Sequence, residues 1–193
     1  MAYSFMAREK SMIEEAYPGD VIGLYDRGDF RIGDTLTEGE ELFFRGMPSF
    51  SPELFKEVIT DDPLRHKQLD KGLQHLTEEG VAQLFIQNRG RRRILGTVGA
   101  MQFEIIQYRL DHEYGAACRM ESLPYVRACW ITASSPAALR DFVRLHDSDI
   151  ASDKEGKLVY LAKSEWALRY CIQTYPELVF YFHIRVGPMR NPR

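Results

Sequence analysis

The spacing of apolar residues changes from that of a strand to that of a helix between residues 95 and 114. Leu95 and Val98 stand among small residues, so the pattern predicts a buried strand against which another element can pack closely. Gly99, where the chain leaves this strand, can adopt positive φ. The apolar positions that follow recur at spacings of three, four and four residues, which predicts one face of a helix: Phe103, Ile106, Leu110 and Tyr114.

The region 47–125 shows the same two spacings in a longer succession. Asp62 followed by Pro63 is a pair that begins helices, and the leucines that follow predict a buried face made by Leu69, Leu73 and Leu76. The predicted elements are strand 54–60, helix 64–79, strand 81–87, strand 93–98, the helix after Gly99 and strand 117–121. This β-α-β-β-α-β order is that of a ferredoxin-like unit.

The region 126–187 predicts a second α/β unit. Ser135-Pro136 and Ser164 are predicted helix starts. The predicted elements are strand 128–132, helix 138–146, strand 158–162, helix 164–174 and strand 179–184, in the order β-α-β-α-β. The last of these helices is expected to turn Trp166, Tyr170 and Leu168 toward the core. Because each unit must bury a sheet face, we expect the two units to be fused.

The first 46 residues carry short apolar segments between closely spaced turn residues, which is typical of β-barrel strands. Segments 3–6, 21–24 and 30–32 are the predicted strands, and Pro18-Gly19-Asp20 is a predicted tight turn. Only part of a barrel is present, so we expect unpaired edges and weaker order here than elsewhere. We place the domain boundary near Gly46, in a linker rich in proline and phenylalanine. The predicted fold class is therefore α+β: a partial β-barrel, a ferredoxin-like β-α-β-β-α-β unit and a β-α-β-α-β unit.

Composition and charge limit the class of protein. The chain of 193 residues is 45% hydrophobic and 27% charged, which is typical of a globular protein. The formal net charge of −3 argues against a chain that coats nucleic acid throughout, but it allows a local basic patch. No apolar run approaches the ~18 residues of a membrane span, and we find no secretory signal. The three cysteines have neither disulfide nor zinc spacing, so we expect reduced thiols in a cytoplasmic protein.

Several separate sequence motifs occur in the order found in one family. EEAYPGDVIGL and IGDTL, at 14–24 and 32–36, are similar to the end of the β-barrel domain II of translational GTPases. GTVGAMQFE, at 96–104, resembles a stretch of domain III in elongation factor G-like proteins. The segments FRGMPSFSPELF and KQLDKGLQHLTEEGVAQLF, at 44–55 and 67–85, resemble the peptide chain release factor 3 family in particular.

This resemblance implies a domain division and a role. Residues 1–46 would be the end of domain II and residues 47–193 a domain III-like part, with halves at 47–125 and 126–187. The family is a group of GTPases that promote dissociation of class I release factors from the ribosome. The guanine-nucleotide domain, with GTP or GDP and magnesium, is expected to precede this chain, which should have no catalytic residues, cofactor or metal of its own. The implied partners are the rRNA and proteins of the small ribosomal subunit and, indirectly, class I release factors. We expect a monomer.

One run of residues has candidate binding chemistry. Arg89, Arg91, Arg92 and Arg93 fall around a predicted hairpin loop. Guanidinium groups suit phosphate recognition, so these arginines are candidate contacts to ribosomal RNA. The alternative is a solvated hairpin whose charge keeps a sheet edge soluble. The sequence contains neither the phosphate loop GxxxxGK[ST] nor the guanine-reading NKxD.

Two other classes of function remain open. A free-standing ferredoxin-like RNA-binding module would stack bases on aromatic residues of its middle strands, and of these strands only 81–87 carries one, Phe85. A small-molecule enzyme would need a convergent group of ionisable residues, and the sequence shows no pattern for one.

Overall fold

Local contacts divide the chain into two compact units, Met1–Phe43 and Phe44–Arg193. The computed structural model describes residues 2–6, 9–13, 15–25, 35–40, 42 and 51–182. The boundary predicted near Gly46 lies outside the described residues, as does the predicted strand 30–32.

The first unit contains a three-stranded antiparallel sheet in the order β2-β1-β3. Its strands are β1 (Ala2–Met6), β2 (Glu9–Ile13) and β3 (Ile22–Leu24). The predictions for 3–6 and 21–24 are confirmed, whereas β2 was not predicted. Gly19 has φ of +102° in the predicted turn, where the Asp20 amide donates to the Tyr17 carbonyl oxygen at 3.0 Å.

The first half of the second unit follows the predicted ferredoxin-like order. Its elements are β4 (Leu54–Thr60), α1 (His66–Glu78), β5 (Gln83–Gln87), β6 (Arg93–Thr97), α2 (Ala100–His112) and β7 (Cys118–Ser122). A short 3₁₀ turn, Pro63–Arg65, begins at the predicted cap Asp62 and leads into α1. The α+β class is thus confirmed for this half.

The second half has one strand more than predicted. Its elements are β8 (Arg127–Ala133), α3 (Pro136–Leu145), β9 (Ile150–Ser152), β10 (Leu158–Ala162), α4 (Glu165–Thr174) and β11 (Leu178–Tyr181). The β-α-β-α-β order is therefore corrected to β-α-β-β-α-β. The extra strand β9 has three residues, too few to show a period of two.

All eight of these strands form one antiparallel sheet, in the order β11-β8-β10-β9-β5-β6-β4-β7. Each half has the ferredoxin-like order, and the second strand of one half pairs with the second strand of the other. This pairing of β5 with β9 joins Ile86 to Ser152 and Gln87 to Ala151. The two halves are therefore fused, as expected, and the unit is a ferredoxin-like arrangement repeated about the β5–β9 seam.

Three apolar cores hold this unit together. The first lies between α1, α2 and the first half of the sheet, and the third lies between α3, α4 and the second half. The middle core lies between the two halves of the sheet, on the face of each half that carries no helices. There the Phe85 and Trp130 ring centroids are 6.1 Å apart. Strands buried on both faces need apolar residues at successive positions, which explains runs such as Ala128–Ile131.

Most predicted core faces are confirmed, with two exceptions. Leu69, Leu73, Leu76, Phe103, Ile106 and Leu110 are all buried, as predicted. In α4 the inward positions are Leu168 and Cys171, whereas Trp166 and Tyr170 point outward and are 74% and 54% exposed. The cause is helical phase: the cap at Ser164 is confirmed, but the core lies on the face of Leu168. Val98 also lies beyond its strand and is exposed.

The small residues of β6 allow the close approach that the sequence predicted. A Cβ atom on Gly96 would lie 2.7 Å from Pro52 Cγ and 2.9 Å from Phe85 Cε2. Gly99 has φ of −125°, so the turn into α2 does not use the positive φ available to glycine. A Cβ atom on Gly99 would meet nothing within 4 Å.

The same substitution at these two glycines should have opposite results. We expect Gly96→Ser to lower the free energy of unfolding by about 1–3 kcal/mol, because neither ring beside it can move away without disturbing the core. Gly99→Ser should leave stability unchanged or raise it slightly, because serine is a good helix N-cap. Thermal melts of both variants and the parent chain measure this difference. Equal melting temperatures for the two variants would contradict the close packing.

Candidate nucleic-acid interface

The arginine run forms the turn between β5 and β6. The Gln87 amide donates to the Arg92 carbonyl oxygen at 3.0 Å, and this bond closes the turn. Gly90 and Arg91 both adopt left-handed backbone conformations, with φ of +78° and +54°. Glycine adopts this conformation without strain. Arg91 adopts it as well, because the chain reverses its direction within this short turn. Arg89 and Arg91 are consequently carried at the tip of a short hairpin.

The base of the hairpin is fixed to the other half of the unit. The Asn88 amide donates to the Ile150 carbonyl oxygen at 2.9 Å. The buried side chain of Gln87 donates through Nε2 to the Ser148 carbonyl oxygen and, at 3.3 Å, to the Tyr125 hydroxyl. The hairpin therefore stands on the seam between the halves, and its position depends on both.

Two of the four candidate arginines are held in ion pairs within the protein. Arg92 pairs with Glu57 on β4, and this hydrogen-bonded carboxylate raises the pKa of the guanidinium. Arg93 turns to the helical side of the sheet and binds both carboxylate oxygens of Asp70 on α1, with its Nη2 2.9 Å from Oδ2. Asp70 likewise raises the pKa of Arg93. Both arginines are therefore already engaged in structural contacts.

The other two arginines keep their charge available. Within the described parts of the chain, Arg89 and Arg91 form no ion pair, and Arg89 is exposed at the mouth of a shallow surface cleft. Across the cleft, Lys163 binds Asp149 with 2.7 Å between Nζ and Oδ1. The cleft is lined by Gln87, Arg89, Gly90, Arg92, Leu123, Pro124, Tyr125, Ser148, Asp149 and Lys163.

The far wall of this cleft was not predicted from the sequence. Tyr125, Asp149 and Lys163 lie 36 to 74 residues from Arg89 along the chain. Asp149 and Lys163 are brought beside it by the pairing of β9 with β5 and of β10 with β9, and β9 is the strand that the sequence pattern does not show. A predicted strand at Ile150–Ser152 is the sequence signal that would have placed this wall of the cleft beside Arg89.

The described residues do not form a metal site or a membrane span. Among them, no three histidine, cysteine, aspartate or glutamate side chains gather closely enough to hold a metal ion. Cys118, Cys129 and Cys171 are free and buried. No helix in the described part of the chain is long and apolar enough to cross a membrane. The phosphate loop and guanine-reading motif that a GTP site requires do not occur in the sequence.

Comparison with known families agrees with this architecture. Residues 1–39 match the family described as elongation factor G domain 2, which relates the chain to the translational GTPases. Residues 44–172, more than half of the chain, match the family described as class II release factor RF3, C-terminal domain. The chain belongs to this release factor family.

The two kinds of arginine should differ in their effect on stability. Arg92→Gln leaves the carboxylate of Glu57, whose side chain is only 15% exposed, without its cation. We expect a loss of about 1–2 kcal/mol in the free energy of unfolding, and a partial recovery in the Arg92→Gln, Glu57→Gln double variant. Arg91→Gln should change stability by less than about 0.5 kcal/mol. Denaturant unfolding of the three variants tests this, and an equal loss for Arg91→Gln would count against the assignment.

Proposed function

We propose that this chain is a ribosome-docking part of a release factor 3-type GTPase, which promotes dissociation of class I release factors from the ribosome. The observation that carries the proposal is the hairpin: in a member of a ribosome-associated family, two arginines that form no ion pair within the described residues stand on a fixed support. In this role the chain contacts the small ribosomal subunit in the cytoplasm, as a monomer. Guanine nucleotide and magnesium bind to the family's G domain, and the chain itself performs no catalysis.

The geometry of the hairpin supports phosphate binding. A guanidinium group offers a planar set of donors that matches two phosphate oxygens. Arg89 and Arg91 can use those donors for a partner because none is engaged in an ion pair within the described residues. Arg92 and Arg93 support the hairpin from below through Glu57 and Asp70. We therefore assign the phosphate contacts to the first two arginines, while the second two arginines hold the loop in place.

The architecture disfavours the alternative of an RNA-binding module that reads bases on an open sheet. Such a module exposes aromatic residues on its middle strands. Here one face of the β4–β6 region is covered by α1 and α2, and the other face is covered by the second half of the sheet. Phe85, the aromatic residue that this alternative requires, is completely buried against Trp130.

The contribution of the hairpin can be measured from the salt dependence of binding. We expect Arg89→Gln, Arg91→Gln to reduce the slope of log affinity against log salt by about two units, because the slope falls by about one unit for each phosphate that is no longer neutralised. The measurement is co-sedimentation of the full chain with ribosomes over a series of salt concentrations. The melting temperature should stay unchanged, because neither side chain forms an ion pair within the described residues.

A charge-matched control separates this effect from net charge. Lys67 and Lys71 lie exposed on α1 and form no ion pair within the described residues. Lys67→Gln, Lys71→Gln changes the net charge equally but removes no hairpin cation. It should leave the salt slope as in the parent chain. If the control flattens the slope as much as the hairpin variant does, the interaction is a general charge effect and docking through the hairpin is wrong.

The proposal also separates docking from nucleotide-driven work. Because the chain has no phosphate loop, we expect no binding of a fluorescent guanine nucleotide at micromolar concentration. The chain added alone should not accelerate release of a labelled class I release factor from a terminated ribosome. Acceleration by the chain without nucleotide would show that the chain itself drives release and would overturn this division of roles.

A further inference from the structure

The outer face of α4 carries two aromatic residues that the sequence pattern assigned to the core. Trp166 and Tyr170 are one helical turn apart and stack with their ring centroids 5.6 Å apart and an angle of 14° between the rings. Trp166 is 74% exposed, although a ring of this size normally gains much from burial. The core beneath the helix is already filled by Leu168 and Cys171. The aromatic pair therefore serves no packing role within the described fold.

The residues beside the pair share one chemical property. The positions that follow the same face of the helix, at spacings of three and four residues, are Trp166, Arg169, Tyr170 and Gln173. Indole, guanidinium, phenol and carboxamide are all planar groups that can lie flat against another ring. All four are exposed, and the acidic residue beside this face is Glu165, four residues before Arg169.

The charge at this surface is positive. Arg169 forms no ion pair within the described residues, so its guanidinium is free to meet an anion. Glu165, the nearest acidic residue on the helix, is already bound to Arg127, with 2.8 Å between Nη2 and Oε1. An incoming phosphate would therefore meet a free cation and a neutralised carboxylate.

We propose that the outer face of α4 binds unpaired nucleotides of an RNA, with bases stacked on Trp166 and Tyr170 and a backbone phosphate on Arg169. Base stacking on aromatic and guanidinium planes is the usual way in which proteins hold single-stranded RNA. The binding of unpaired bases follows from this surface alone. Its identification with ribosomal RNA rests on the proposed function.

The complementary charge favours RNA over a protein partner. A purely apolar partner would leave Arg169 and Gln173 without hydrogen-bond partners in a dry interface, which is unfavourable. A nucleotide supplies an aromatic face for the two rings and an anion for the guanidinium together. The surface thus offers a partner to the base face and to the phosphate of an unpaired nucleotide.

The two tryptophans make the proposal directly measurable. Trp130 is 6% exposed in the middle core, whereas Trp166 is in solvent, so a stacked base should quench the fluorescence of Trp166 alone. We expect a short single-stranded oligoadenylate to quench the emission of the full chain in a saturable way, and an RNA duplex to quench it much less. Trp166→Phe should abolish the quench. Quenching that persists in this variant, or equal quenching by the duplex, would overturn the proposal.

Substitutions that keep the fluorescent residue test the rest of the face. Tyr170→Ser should weaken oligoadenylate binding by about tenfold, the usual effect of losing one stacked base. Arg169→Gln should reduce the salt dependence of the quench. The matched control is Tyr108→Ser, which removes an exposed tyrosine from α2 in the other half and should leave binding unchanged. Unchanged binding by Tyr170→Ser would contradict stacking at this position.

Comparison with the hairpin variant keeps the two proposals separate. Arg89→Gln, Arg91→Gln should retain the oligoadenylate quench, because those residues lie outside the face of α4. If the parent chain shows the quench but does not bind ribosomes, the docking function fails and this inference stands. If Trp166→Ser weakens ribosome binding while no oligonucleotide quenches the parent chain, the face binds protein and the inference is wrong.

Discussion

The middle core, where two helix-free sheet faces pack together, is the constraint on which the rest of the second unit depends. A ferredoxin-like unit covers one face of its sheet with helices and leaves the other open. In this protein each half covers the open face of the other, through contacts such as that of Phe85 with Trp130, in a core that also contains Phe55 and Val159. Backbone pairing of β5 with β9 continues the sheet from one half into the other. Neither half would bury both faces of its sheet without this arrangement.

The position of the arginine hairpin follows from this constraint. The hairpin begins where β5 ends, and β5 is the strand that pairs across the seam. Gln87, the last residue of β5, is buried and hydrogen-bonded to the turn before β9. Loops that carry function are usually more mobile than the scaffold that positions them. The base of this hairpin, however, is held to the other half by hydrogen bonds from Gln87 and Asn88. Arg92 and Arg93 fix the hairpin further by their ion pairs, whereas Arg89 and Arg91 at the tip form no ion pair within the described residues.

Helices and caps, which depend on local sequence pattern, could be predicted from the sequence. Strand pairing and ion pairs, which depend on residues distant in the chain, could not. Helices α1 and α2 could be predicted because Leu69, Leu73, Phe103 and Ile106 recur with a helical period. The start of α4 could be predicted because serine is a favoured N-cap, and in the structure the Ser164 hydroxyl accepts a hydrogen bond from the Ala167 amide, 3.0 Å away. Strand β9 has no period to detect, and the cleft beside Arg89 was missed with it. The arginines were identified by their charge, but no local pattern shows that Glu57 and Asp70 engage two of them. The prediction that Trp166 faces the core was wrong for a similar reason, because a helical period alone does not determine which side of the helix faces the sheet.

The repeat also explains how one architecture provides two different hairpins. The turn between β9 and β10 occupies the same topological position as the arginine turn between β5 and β6. There Asp153 is buried, accepts hydrogen bonds through Oδ1 from the amides of Glu155 and Lys157, and accepts one through Oδ2 from Trp130 Nε1 at 2.8 Å. Its carboxylate is satisfied entirely from within, so that turn stabilises the middle core. The arginine turn instead directs two cations outward. Within the described residues, arginines without an ion pair therefore stand at one of these two equivalent turns, which concentrates positive charge locally in a chain with a net charge of −3.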